Sequence, residues 1–230
     1  MIIIPDVHGR VFWKEALARR EKDEEVIFLG DYVDPYSYEG ITSEDAIKNL
    51  EEILGVRDEK MIMLLGNHDF MYLCSDHPKC RHDYQNEKRI SDLLDNKDIF
   101  QVAYKKELLG KTYVFSHAGF NPGWVDYAFE GLELPEVVDK ANELYQKWDS
   151  GFLKNLGTVS YLRGGYSEFG SMIWSDTREY RDFEDESLYQ IYGHTQLRDE
   201  PVITSKFACL DCRRGFRLDE KTGKLCSLSA

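Results

Sequence analysis

Ile2-Ile3-Ile4 is a β-branched run that stops at Pro5-Asp6. It predicts a short buried strand. Residues 11–20 follow with Val11, Phe12, Ala16 and Leu17 spaced for one helix face. Val26-Ile27-Phe28-Leu29 is a second apolar run, closed by Gly30-Asp31. Thr42 or Ser43 caps a helix through Leu54, with Ile47, Leu50, Ile53 and Leu54 on one side. Met61-Ile62-Met63-Leu64-Leu65 is a third strand, closed by Gly66-Asn67. The order so far is βαβαβ, which predicts an α/β sheet with crossover helices.

Residues 84–95 read as a helix with Ile90, Leu93 and Leu94 apolar. Thr112-Tyr113-Val114-Phe115 is a strand that runs into Ser116-His117-Ala118-Gly119. Leu134, Val137, Val138, Ala141, Leu144, Tyr145 and Trp148 repeat at helical spacing over 134–148, the stripe of a core-facing helix. Leu188–Tyr192 is a strand ending at Gly193-His194, and short strands with turns follow from Val202. There is no internal repeat and no Pro/Gly-rich linker. One domain over 1–230 is expected, with a helical and irregular cap segment around 121–190.

Charge and cysteine usage narrow the class. The chain has 230 residues and a net charge of −13. An acidic body lacks the basic footprint of a long nucleic-acid partner, and it is repelled by an anionic membrane. An apolar fraction of 42% and an aromatic fraction of 13% exclude a disordered chain. No run of eighteen apolar residues predicts a transmembrane helix, and the start lacks the basic character of a signal peptide. The five cysteines are Cys74, Cys80, Cys209, Cys212 and Cys226. An odd number in a chain this size reads as separate thiols in a reducing, cytoplasmic compartment. Cys209-x-x-Cys212 has no second pair to complete a zinc site.

The candidate chemistry lies at strand ends. Five predicted strands finish in Asp6-x-His8-Gly9, Gly30-Asp31-Tyr32-Val33-Asp34, Gly66-Asn67-His68-Asp69, His117-Ala118-Gly119 and Gly193-His194-Thr195. Any one of these alone is ordinary turn chemistry. Together they place oxygen and imidazole groups where α/β sheets bind ligands, beyond the carboxyl ends of strands. A set of two Asp, one Asn and three His drawn from them, with no thiolate, suits manganese, iron or zinc better than calcium or magnesium. Six ligands are too many for one catalytic ion with an open position, and they suffice for two ions about 3.5–4 Å apart.

These five motifs resemble those of the calcineurin-like metallophosphoesterases. Within that superfamily the chain is most similar to the serine/threonine phosphoprotein phosphatase type, especially its compact bacterial and phage members. Ile173-Trp174-Ser175-Asp176 and Phe207-Ala208-Cys209-Leu210-Asp211 also resemble segments of that type. The resemblance spans residues 2–211. It implies a two-sheet β-sandwich flanked by helices. It implies that Asp6 and His8 hold a first metal, that Asp31 bridges two metals, and that Asn67, His117 and His194 hold the second. Manganese is the first expectation, with iron or zinc as alternatives. His68 is implied to be the general acid for the leaving alcohol, oriented by Asp34.

Two departures stand out. The family usually has Arg-Gly after the residue matching Asp34, and that Arg grips the phosphate; Pro35-Tyr36 stands here. Asp69 stands where the phosphoprotein branch usually has Glu. A fork of donors for a dianion must then come from elsewhere. Arg178 is the leading candidate, with Arg10, Arg163 and Arg181 behind it. The implied function is phosphomonoester hydrolysis, on phosphoprotein or small phosphate esters, by in-line attack of a metal-bridging hydroxide. Hydrolysis of diadenosine polyphosphates or related nucleotides is the alternative enzyme reading, because the metal core reads phosphate and not the attached group. Tyr161, Tyr166, Phe169, Trp174 and Tyr180 lie in the cap segment, where packing within the cap is the first expectation and stacking on such a base the alternative. A non-catalytic metal-binding scaffold is a third reading, and it leaves His68 and Asp34 without a purpose.

Overall fold

The structure is a computed structural model, which describes residues 1–179, 183 and 185–228. In chain order the first elements are β1 (Ile2–Ile4), α1 (Phe12–Ala18), β2 (Val26–Phe28), α2 (Ser43–Val56) and β3 (Met61–Leu64). Next come α3 (Asn67–Leu73), α4 (Glu87–Leu94), β4 (Phe100–Gln101), β5 (Ala103–Leu108) and β6 (Lys111–Ser116). Then follow α5 (Pro122–Ala128), α6 (Leu134–Gln146), α7 (Ser150–Leu156) and β7 (Leu188–Tyr192). Last are β8 (Val202–Ile203), β9 (Phe207–Cys209), β10 (Phe216–Leu218) and β11 (Leu225–Ser227). Seven α-helices and two sheets are present among the described residues, so the mixed α/β class holds.

The chain divides into two units, residues 1–100 with 213–230, and residues 101–212. The first unit is built on the βαβαβ start. Its sheet runs in the order β11-β10-β1-β2-β3-β4. β1 and β2 pair in parallel with Ile2 against Val26, and β2 and β3 pair in parallel with Val26 against Met61. Ile2, Ile3, Ile4, Val26, Ile27 and Phe28 are fully buried, as expected of parallel strands covered on both faces. The capping prediction for α2 resolves in favour of Thr42: its Oγ1 accepts from the Asp45 N–H at 3.1 Å, and the Asp45 carboxylate accepts from the Thr42 N–H at 3.0 Å. The C-terminal chain returns to this sheet, with β10 antiparallel to β1.

The second unit carries a sheet in the order β5-β6-β7-β9-β8. β6 and β7 are parallel, as are β7 and β9. The predicted stripe of α6 is largely buried, through Leu134, Val137, Val138, Ala141 and Tyr145. Leu144 and Trp148 are only half-buried, and Trp148 lies beyond the end of α6 at Gln146. The helix packs on β5 and β6. All five cysteines are free thiols, with Cys209 and Cys212 buried. No helix among the described residues is long and apolar enough to cross a membrane.

Candidate metal centre

In the first unit the ends of β1, β2 and β3 present their polar residues on one side. Ligand atoms of Asp6, His8 and Asp31 all lie within 4.8 Å of one another, and all three residues are buried. The backbone is bent to achieve this. His8 (φ 46°), Asp31 (φ 55°) and Asp34 (φ 57°) all occupy the left-handed region. Each such position costs of order 1–3 kcal/mol for a non-glycine residue, and such strain gathers at functional sites. Gly30, at φ 104°, makes the close approach possible: a Cβ there would stand 2.4 Å from the Gly66 nitrogen at the end of β3.

Hydrogen bonds orient each side chain. His8 Nδ1 lies 2.8 Å from the Val33 carbonyl oxygen. A carbonyl only accepts, so Nδ1 carries the proton and Nε2 keeps its lone pair for a metal. That Nε2 is 3.4 Å from Asp31 Oδ2. Burial holds the His8 pKa well below the usual histidine range, with Asp31 opposing, so the ring is neutral, the form a metal ligand requires. Two buried carboxylates beside a neutral imidazole with a free lone pair form a donor set that fits a divalent or trivalent cation.

Beside this cluster stands the His68–Asp34 pair. His68 Nδ1 is 2.9 Å from Asp34 Oδ2, and the His68 backbone N–H donates to Asp31 Oδ1 at 2.9 Å. The Tyr72 hydroxyl donates to Asp34 Oδ1. Asp34 is thereby fixed from two sides, and its pKa is raised by burial against the pull of His68. Burial disfavours the charged form of His68. The charge of Asp31 and hydrogen bonds with Asp34 and Cys80 outweigh it, and the pKa is raised to about 10. Positive ions at Asp31 would weaken the largest of those raising effects and bring His68 back toward neutrality.

Asp69 explains itself structurally. Its carboxylate accepts the N–H groups of Asp31 at 2.7 Å, Tyr32 at 3.0 Å and Gly66 at 2.8 Å. It is fully buried and ties the strained end of β2 to the first turn of α3. Burial, and then the Asp31 charge, push its pKa up. An Asp69→Ala variant would orphan three buried donors. It is expected to lose about 3–5 kcal/mol of folding stability in urea denaturation; a loss under about 1 kcal/mol would contradict this clamp.

The second unit brings two further predicted residues together. His117 follows β6, and His194 follows the parallel neighbour β7, so both stand at the same carboxyl edge. His117 Nε2 and His194 Nδ1 are 3.1 Å apart. The Gly193 N–H donates to the His117 carbonyl at 2.8 Å, which locks the two turns in register. His194 is again left-handed, at φ 61°. The Trp174 ring meets it edge-on with centroids 5.8 Å apart.

The arginines are distributed unevenly. Arg178 Nε and Nη2 fork onto Asp176 at 2.8 and 3.1 Å. Arg163 reaches the same carboxylate at 2.9 Å and donates to Thr195 Oγ1 at 2.7 Å. Arg10 forks onto Glu39 at 2.8 and 2.9 Å. Arg181 and Tyr180 lie outside the described residues. Tyr72 and Arg81 were not anticipated from the sequence. Tyr72 stands at i+4 from His68 on α3, a spacing that would have revealed it had that helix been foreseen.

A calcineurin-like phosphoesterase family model matches residues 2–198. The chain belongs to that family. It is therefore a metal-dependent phosphoester hydrolase. Among solved structures, this phosphoesterase is similar to a protein serine/threonine phosphatase from Saccharomyces cerevisiae described as similar to human phosphatase PP5. The identity is 11%, the TM-score 0.50, and the match covers 94% of this chain and 71% of the other. That likeness speaks for the fold. No curated protein matches the sequence.

Proposed function

We propose that this phosphoesterase is a binuclear-metal phosphomonoesterase acting on phosphoprotein or small phosphate esters. The observation that carries the reading is the buried Asp6, His8 and Asp31 cluster with the His68–Asp34 pair hydrogen-bonded beside it. Asp6, His8 and Asp31 would hold one ion. Asn67, His117 and His194 are proposed as ligands of the second, with Asp31 shared between the two. Manganese is the first choice and iron or zinc the alternatives, since the set offers oxygen and imidazole donors without thiolate.

When bound, the metal pair supplies positive charge against the phosphoryl oxygens and lowers the pKa of water. The chain's own residues do the rest. Asp34 accepts from His68 Nδ1, which leaves Nε2 to carry a proton toward the leaving oxygen. The Asp31 carboxylate takes the His68 backbone N–H, which fixes the imidazole relative to the metal-holding group. Arg178 is retained as a proposed substrate contact, through the Nη1 group that its Asp176 fork leaves over. The free thiols support a cytoplasmic location. The test is a panel of phosphopeptides, phosphorylated metabolites and diadenosine tetraphosphate, offered to metal-reconstituted protein. Release of inorganic phosphate from monoesters supports the proposal. Turnover of diadenosine tetraphosphate with none of the monoesters would replace it.

A further inference from the structure

The family's phosphate-gripping Arg is absent after Asp34, and the guanidinium of Arg81 packs against that segment instead. Arg81 comes from the segment between α3 and α4, and is exposed. Its Nε and Nη2 donate to the Asp34 carbonyl at 3.3 and 3.2 Å. Its guanidinium carbon lies 3.8 Å from the centroid of the Tyr36 ring. Arg81 thus covers Asp34-Pro35-Tyr36, the segment where the family's Arg would begin. The Tyr36 ring in turn meets the metal-ligand candidate His8, with centroids 5.0 Å apart.

The mounting is firm. The Asp83 N–H donates to the Tyr72 hydroxyl at 2.7 Å, and Tyr72 stacks on His82 with centroids 4.3 Å apart. The Cys80 N–H donates to Met71 Sδ at 3.4 Å. The residues on both sides of Arg81 are therefore tied to α3, the helix that carries His68.

Arg81 also differs from its rivals in what it touches. Arg10, Arg163 and Arg178 each face a carboxylate, whereas Arg81 makes no ion pair among the described residues. A guanidinium has five N–H donors, and the bonds to the Asp34 carbonyl leave the Nη1 pair over. Such a planar fork, stacked on a ring that itself meets the candidate ligand His8, matches the oxygens of a phosphate dianion.

We propose that Arg81 binds the phosphoryl group of the substrate, taking the place of the Arg that the family carries after the residue matching Asp34. This rests on the phosphoester-hydrolase reading above. The test uses the full chain loaded with Mn²⁺, as wild type, Arg81→Ala and Arg81→Lys. Hydrolysis of p-nitrophenyl phosphate, binding of inorganic phosphate by titration calorimetry, metal content and thermal unfolding are measured on each. Arg81→Ala is expected to keep wild-type metal content and weaken phosphate binding about 10–100-fold, with KM rising in step. Arg81→Lys recovers only part, because a point charge does not replace the fork. It also stands in should the Ala variant fold poorly. Added guanidinium ion should partly restore the Ala variant. Wild-type phosphate affinity in both variants would overturn the proposal. A wild-type protein that binds phosphate but hydrolyses no ester would instead overturn the functional reading, and the calorimetry would still decide for or against Arg81.

Discussion

An Asp31→Asn variant is expected to lose bound metal and hydrolysis together, with kcat/KM falling by at least about 10³, or about 4 kcal/mol of transition-state stabilisation. Asp31 sits at the centre of the first unit's polar cluster. One oxygen accepts the His68 N–H at 2.9 Å, and the other faces His8 Nε2 at 3.4 Å. An amide keeps the shape but offers a single neutral acceptor oxygen, and so a far weaker ligand for a hard cation. The same change relieves like-charge repulsion, because the Asp31 charge raises the pKa of the buried Asp69 carboxyl. The metal-free variant should therefore unfold at or above the temperature of metal-free wild type. Loss of activity with an intact fold and low metal content is the expected pattern. Wild-type metal content with full activity would remove Asp31 from the centre.

A His68→Ala variant should behave differently. Its metal content stays near wild type, and kcat on an ester with a poor leaving group falls by about 10²–10⁴. The side chain touches Asp34 and not the Asp6, His8 and Asp31 donors, apart from rings meeting edge-on at 5.1 Å with His8. Removing it deletes the proposed proton donor and leaves Asp6, His8 and Asp31 in place. The loss should shrink on p-nitrophenyl phosphate, whose leaving group departs without protonation. Full activity of this variant on an alkyl phosphate would sink the general-acid role. Equal losses on both esters would assign His68 to positioning instead.

Much of this site could be read along the chain because its residues follow buried strands. Apolar runs such as Ile2-Ile3-Ile4 and Met61–Leu65 locate the strands, and the polar residues after them share an edge by topology. The helix α3 was not foreseen. Gly66-Asn67-His68-Asp69 reads as a turn, and a helix of seven residues has too little length for a periodic signal. It is held from outside, by Asp69 bonded across to Asp31 and Tyr32. With α3 went Tyr72 and the mounting of Arg81. The stretch around Arg81 is polar and without period, so nothing local marks it. β5 was hidden for a related reason: Tyr104-Lys105-Lys106-Glu107 lies in an edge strand, where burial does not impose alternation. The pairing of β10 with β1 joins residues more than two hundred positions apart, which no local pattern encodes. The net charge of −13 acquires meaning only with the site known. An acidic body that must attract a phosphate dianion depends on bound cations, and on any guanidinium beside them.

The proposed chemistry depends on a centre of two ions. The most direct test is to titrate metal-free protein with Mn²⁺, counting bound ions by elemental analysis and phosphate release on the same samples. No hydrolysis is expected without metal, and a plateau is expected with two ions per chain. Full hydrolysis with one ion or none, or activity untouched by a chelator, would contradict that dependence.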